Sequence, residues 1–216
     1  MPLYTVAGIT VSMSPQYPLT QSRANPYRCE NGVAQMTVVG AGDEYEEYAA
    51  LASSFYEQLI GFDGFLLHAS AVEYNGQAVA FSASSGTGKS THSSFWCKEL
   101  GAKIINDDKP ALRRMDGVFY ACGTPFSGKR PLSRNVCVPL KAIVFLTRAP
   151  QTSVRRLPPQ EALFRLLSQT LRPQDAVLYE RLLGLIEDLM RQVVFYEAGV
   201  PNDPACAYDV KKALGV

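Results

Sequence analysis

The chain has 216 residues, of which 47% are hydrophobic, enough to bury a substantial core in one domain. Its 21 basic and 20 acidic residues nearly cancel, and no basic block interleaves with aromatics, which argues against nucleic acid or an anionic membrane as partner. Five cysteines (Cys29, Cys97, Cys122, Cys137, Cys206), an odd number without Cys-x-x-Cys spacing, argue against a disulfide framework or a zinc site and make a reducing cytoplasm the natural setting.

Met1 to Ser12 carries no basic charge ahead of its apolar part, and the longest apolar runs, such as Ala142 to Leu146, are strand-sized. Neither a signal peptide nor a membrane span is therefore expected. Residues 1–43 read as a β region, with strands at Tyr4 to Val11 and Val33 to Val39 and a tight turn at Glu30-Asn31-Gly32. Apolar spacings of three and four predict an amphipathic helix from Glu44 to Ile60, ended by Gly61. Phe65 to Glu73 and Ala78 to Phe81 form a hairpin across Asn75-Gly76. A helix from Lys89 to Leu100 stops at Gly101, a strand covers Lys103 to Asn106, and Lys109 to Arg114 pairs with Val118 to Cys122 through Asp116-Gly117. After a loop rich in Gly, Pro and Ser at 123–135 come strands at Ala142 to Thr147 and Ser153 to Arg156, then helices from Pro158 to Leu171 and Gln174 to Arg191. A strand at Val193 to Glu197 and a short helix at Ala205 to Leu214 complete the chain. The class is α/β with a mixed sheet, because a hairpin rather than a parallel βαβ unit leads into the Lys89 helix.

The strand at Ala78 to Phe81 leads into Ala83-Ser-Ser-Gly-Thr-Gly-Lys-Ser-Thr91, a Walker A pattern in which Ala83 stands at the first glycine and Gly88, Lys89 and Ser90 are in register. Small residues let the backbone curl so that N–H groups aim at phosphate oxygens, and the helix that follows turns its positive end to the anion. Ser84, Ser85, Gly86, Thr87, Gly88, Lys89, Ser90 and Thr91 are the expected nucleotide-binding residues, Lys89 on the β- and γ-phosphates and the Ser90 hydroxyl on Mg²⁺. Asp107-Asp108, at the end of the strand after the Lys89 helix, can hold Mg²⁺ or accept the proton of an attacking hydroxyl. His68 lies on the first strand of the hairpin that feeds the loop.

Leu67-His68-Ala69-Ser70-Ala71-Val72, the hairpin, the loop to Thr91 and Gly101-Ala-Lys-Ile-Ile-Asn-Asp-Asp108 together resemble the kinase domain of the HPr kinase/phosphorylase family, itself similar to the phosphoenolpyruvate carboxykinase P-loop fold. The resemblance implies a single domain over 1–216, with a nucleotide-binding core at 65–148 and a C-terminal α/β part at 149–216. It implies Asp107 as general base, Asp108 and Ser90 beside Mg²⁺, and His68 orienting phosphate or carboxylate. It also implies ATP as donor and a homo-oligomer. Two departures stand out: the family's separate N-terminal domain has no counterpart, and its glycine-containing signature after the Asp pair is replaced by Gly123-Thr-Pro-Phe-Ser-Gly-Lys-Arg-Pro131. That replacement resembles an element of small relatives of the family and offers a cationic arm, Lys129 and Arg130, for a transferring phosphoryl group.

The resulting expectation is a cytoplasmic Mg-ATP-dependent kinase acting on a hydroxyl of a small molecule, peptide or protein. A nucleotide-binding sensor without efficient transfer is the alternative. Carboxykinase chemistry is disfavoured, since that family is much longer and its additional metal ligands and arginines have no counterparts. Ras-like GTPase activity is disfavoured because Asn106-Asp-Asp-Lys109 lacks the Asn-Lys-x-Asp order.

Overall fold

Three two-residue turns, Ala7-Gly8, Asn75-Gly76 and Asp116-Gly117, have positive φ at both positions, the geometry that closes a hairpin between right-twisted strands. The computed structural model describes all 216 residues. In chain order it comprises β1 (Leu3–Val6), β2 (Ile9–Ser12), α1 (Pro18–Ala24), β3 (Arg28–Cys29), β4 (Met36–Thr37), α2 (Glu44–Leu59), β5 (Gly64–Leu66), β6 (Ala69–Tyr74) and β7 (Gln77–Ser82). Then come α3 (Lys89–Leu100), β8 (Lys103–Asn106), β9 (Ala111–Met115), β10 (Val118–Cys122), β11 (Cys137–Arg148), β12 (Ser153–Arg156), α4 (Pro159–Ser168), α5 (Ala176–Gln192), β13 (Val194–Val200) and α6 (Cys206–Leu214).

The mixed α/β class holds. A four-stranded sheet runs β3-β1-β2-β4, and a nine-stranded sheet runs β5-β9-β10-β11-β7-β6-β8, with β13 and then β12 attached beside β11. β11 is long enough to serve both halves of the large sheet: Cys137 to Pro139 pair with β10, and the rest pairs in parallel with β7 and β13. Because β6 is antiparallel to both β7 and β8, strands β7, β8, β11 and β13 all point the same way.

Side chains alternate across these strands. Ala78, Ala80, Ile143 and Phe145 face a core with Leu182, Leu185 and Ile186 of α5, whereas Val79, Phe81, Val144 and Leu146 face Trp96 of α3 and Val210 of α6. Helices therefore cover both faces, as parallel strands require. A third core joins the N-terminal sheet to Leu51, Phe55 and Tyr56 of α2, and it includes Phe126 from the 123–135 loop.

Five expectations change, the simplest being the strand at Val33 to Val39, which shortens to Met36–Thr37. The predicted strand over Tyr4 to Val11 is a hairpin, since Ala7 and Gly8 turn the chain. The Pro-containing stretch behind it holds α1, with Pro18 at its first turn. His68 is not within a strand: β5 ends at Leu66 and β6 starts at Ala69, and the two pair with different neighbours. Finally, Cys122 and Cys137 face one another in the β10–β11 ladder and are joined as a disulfide, leaving Cys29, Cys97 and Cys206 free. The count alone hid this pair, because register rather than parity brings two cysteines together.

Candidate active site

Strand direction assembles the site. β7 ends at the 83–88 loop, β8 at Asp107-Asp108, β11 at Arg148 and β13 at Val200, while antiparallel β6 begins just after His68. All five therefore meet at one edge of the sheet, the carboxyl edge where open α/β sheets place their ligand sites. Across that edge the order is β8, β6, β7, β11, β13.

The 83–88 loop owes its shape to two glycines. Gly86 and Gly88 have φ of 79° and 118°, and a Cβ at either would meet nothing within 4 Å. Conformation, not space, selects glycine there. Ala83 is not among the positive-φ residues, so its methyl is accommodated. Gly88 caps α3 without any side-chain hydrogen bond, which leaves the first N–H groups of the helix free to face an anion. Lys89 is buried, and its Nζ donates to Ala83 O at 3.1 Å. Burial pushes its ammonium pKa below the ordinary value, against the opposing charge of Asp108. Ser84, Ser85, Ser90 and Thr91 are exposed around the loop.

A cleft of about 660 Å³ brings together His68, Ser85, Gly86, Gly88, Lys89, Ser90, Thr91, Asp107, Asp108, Lys129 and Arg130. The two carboxylates in it differ sharply. Asp107 is 5% exposed and accepts Gly128 N–H at Oδ1, 3.0 Å; burial raises its pKa, the Gly128 bond opposes this, and the charge of Asp108 adds to it. For Asp108 burial also pushes upward, but hydrogen bonds and charge from His68 and Lys109 outweigh it and hold the carboxyl well below the usual range. His68 Nε2 lies 3.3 Å from Asp108 Oδ1, and its Nδ1 is 3.0 Å from Gln169 Oε1. The site therefore pairs one proton-avid carboxylate with one that stays ionised.

Several residues outside the sequence-derived set hold this arrangement. Asn106, fully buried, accepts the N–H groups of Asp108 and Lys109 at Oδ1 (3.0 and 2.7 Å), and its Nδ2 reaches Thr124 and Phe126 carbonyls at 3.2 Å. It ties the Asp-bearing turn to the 123–135 loop. That loop is also clamped by the N-terminal region: Arg23 donates to Ser127 Oγ and Gly128 O (2.5 and 2.9 Å), and the Tyr48 hydroxyl donates to Ser127 O at 2.9 Å. Lys109 pairs with Asp108, and Arg148 donates to Gly86 O at 2.6 Å. None of these had a motif to announce it; each acts through contacts distant in sequence. Lys129 and Arg130 stand exposed at the rim of the cleft, away from direct contact with the carboxylates.

Residues 47–180 match the family model described as "ScmC: SynChlorMet cassette protein ScmC". No curated protein matches the chain. Among solved structures, the Hpr(Ser) kinase/phosphatase from Coxiella burnetii superposes over 70% of this chain and 99% of that one, with a TM-score of 0.38 and 11% identity.

Proposed function

The chain belongs to the ScmC family, and we propose that it is a Mg²⁺-dependent kinase that transfers the γ-phosphoryl of ATP to a hydroxyl acceptor. The observation that carries this reading is the convergence of Lys89, the open N-terminus of α3 and two unlike carboxylates on one cleft. Loop N–H groups and Lys89 would hold the phosphates, and the cations at the rim, Lys129 and Arg130, would close over the transferring group. Asp107 Oδ2, the oxygen not engaged by Gly128, would accept the acceptor's proton as its hydroxyl oxygen bonds to the γ-phosphorus and the β–γ bridging bond breaks, releasing ADP. Ser90, Asp107 and Asp108 supply hard oxygen donors that suit Mg²⁺, with phosphate and water completing its shell, since no cluster of three or more His, Cys, Asp or Glu is gathered in the chain. Bound there, the ion would neutralise charge on the β- and γ-phosphates.

One contact favours a second reading, nucleotide binding without transfer: Lys109 pairs with Asp108, so this carboxylate is partly engaged before any cation arrives. The two readings separate in an assay of ADP release from Mg·ATP with serine-bearing peptides and small alcohols as acceptors. A kinase shows acceptor-dependent release that Asp107→Asn lowers about a thousandfold while ATP affinity stays within about threefold. Binding with no acceptor-dependent release rejects the kinase, and full transfer by Asp107→Asn rejects Asp107 as its base.

A further inference from the structure

The cleft holding the Asp pair lies on one side of the 83–88 loop; a second one lies on the other. It measures about 580 Å³ and is walled by Phe95 of α3, by Arg148 at the end of β11 and Pro150 beyond it, and by Pro201 and Asn202 after β13. The two clefts meet at Gly88, Thr91 and Phe95, which line both. Resting on the kinase reading above, we infer that this second cleft binds the nucleoside half of the triphosphate, and that its chemistry suits adenosine.

Direction is the first argument. In a Walker-type loop the lysine reaches the β- and γ-phosphates while the loop amides cradle the α- and β-phosphates. Lys89 and the Asp pair fix the γ end on the β8 side of β7. The α-phosphate and the nucleoside must then leave toward β11 and β13, past Thr91, into the second cleft. Its volume falls in the range of small-ligand sites.

Lining chemistry is the second argument. Phe95 is half-buried and presents an aromatic face, and Pro150 and Pro201 add flat apolar surface; a base can stack on such walls. Asn202 is exposed at the mouth and carries both a donor and an acceptor, the pair that matches the N6/N7 edge of adenine. No Asp or Glu lines the cleft to accept from the N1 and N2 donors of guanine. Arg148, held by Gly86 O and by Thr87 O at 3.4 Å, fixes the shared wall between the two clefts.

The test is calorimetric titration of the whole chain with Mg·ATP, Mg·GTP and Mg·tripolyphosphate, for the wild type, Asn202→Ala and Phe95→Ala. Wild-type protein should prefer ATP to GTP. Each variant should weaken ATP about tenfold and leave tripolyphosphate within about twofold. Retained tripolyphosphate affinity also shows that Phe95→Ala still folds, and exposed Asn202 provides the variant least able to disturb the core. Unchanged ATP affinity in both variants, or equal loss of ATP and tripolyphosphate in Asn202→Ala, overturns the nucleoside site while the phosphate loop stands. Wild-type protein that binds neither ATP nor tripolyphosphate overturns the kinase reading and this site with it.

Discussion

Asp107 carries a cost that its proposed role explains. Burial raises its pKa above that of an unfolded aspartate, so folding favours the protonated form. The associated stability is present below the ordinary carboxylate range, near 4, and is lost as pH rises through the raised value. At neutral pH the ionised side chain therefore destabilises the fold. Asp107→Asn removes that charge and keeps an oxygen for Gly128 N–H. Its melting temperature at pH 7 should exceed the wild type's by about 2–4 °C for each kcal/mol recovered, and the gain should shrink below pH 4. An equal or lower melting temperature at pH 7 would mean that Asp107 is not strained by burial. Gly128 belongs to the same arrangement: a Cβ there would lie 3.2 Å from Asp108 Cβ and 3.4 Å from Asp107 Oδ2, so glycine lets the loop approach both acids.

At the scale of elements, two packings make predictions of different kinds. α3 is locked to α6 through His92, which is buried, accepts Trp96 Nε1–H at Nε2 (3.1 Å) and meets Cys206 Sγ at Nδ1 (3.4 Å). Burial lowers the His92 pKa to about 4, whereas an unfolded imidazole titrates near 6.5. Its stability contribution is complete above about 6.5 and is lost as pH falls toward about 4, roughly 3 kcal/mol over the full window. Denaturant unfolding should show that loss, and His92→Gln, which still offers Trp96 an acceptor, should flatten the curve between those limits. The second packing is the clamp of α1 and α2 on the 123–135 loop. Arg23→Ala removes the donors to Ser127 and Gly128, and Arg23 itself lines neither cleft. It should lower kcat about ten- to a hundredfold with ATP affinity unchanged, as expected for a misplaced Asp107–Gly128 pair. Unaltered kcat would make the clamp purely structural.

Across the whole molecule, legibility followed the range of the interaction. Asn75-Gly76 and Asp116-Gly117 announced their hairpins because turn geometry is local, and Lys89 to Leu100 was bounded correctly by a glycine at each end. Ala7-Gly8 turns the same way but carries a weaker signal, so the sequence pattern suggests one strand where two exist. The break at His68 was invisible, because β5 and β6 read as one apolar run and part only to join different partners. Candidate site residues with a motif, Lys89, Ser90 and the Asp pair, are visible in the sequence and share one cleft; Arg23, Asn106 and Arg148 are not visible there, since each is defined by contacts across long separations. The N-terminal region, which carried no catalytic pattern, holds the loop beside Asp107. No helix of the chain is long and apolar enough to cross a membrane.

The proposed phosphate loop at 83–91 is where everything else converges, and equilibrium titration of Mg·ATP onto the wild type and Lys89→Ala tests it most directly. Lys89→Ala deletes the ammonium but leaves Gly86, Gly88 and the helix start in place. The wild type should bind in the micromolar range, and the variant about a hundredfold more weakly, with its circular dichroism unchanged. Absence of ATP binding to the wild type, or equal binding by a folded Lys89→Ala, would contradict a phosphate-holding role for the loop.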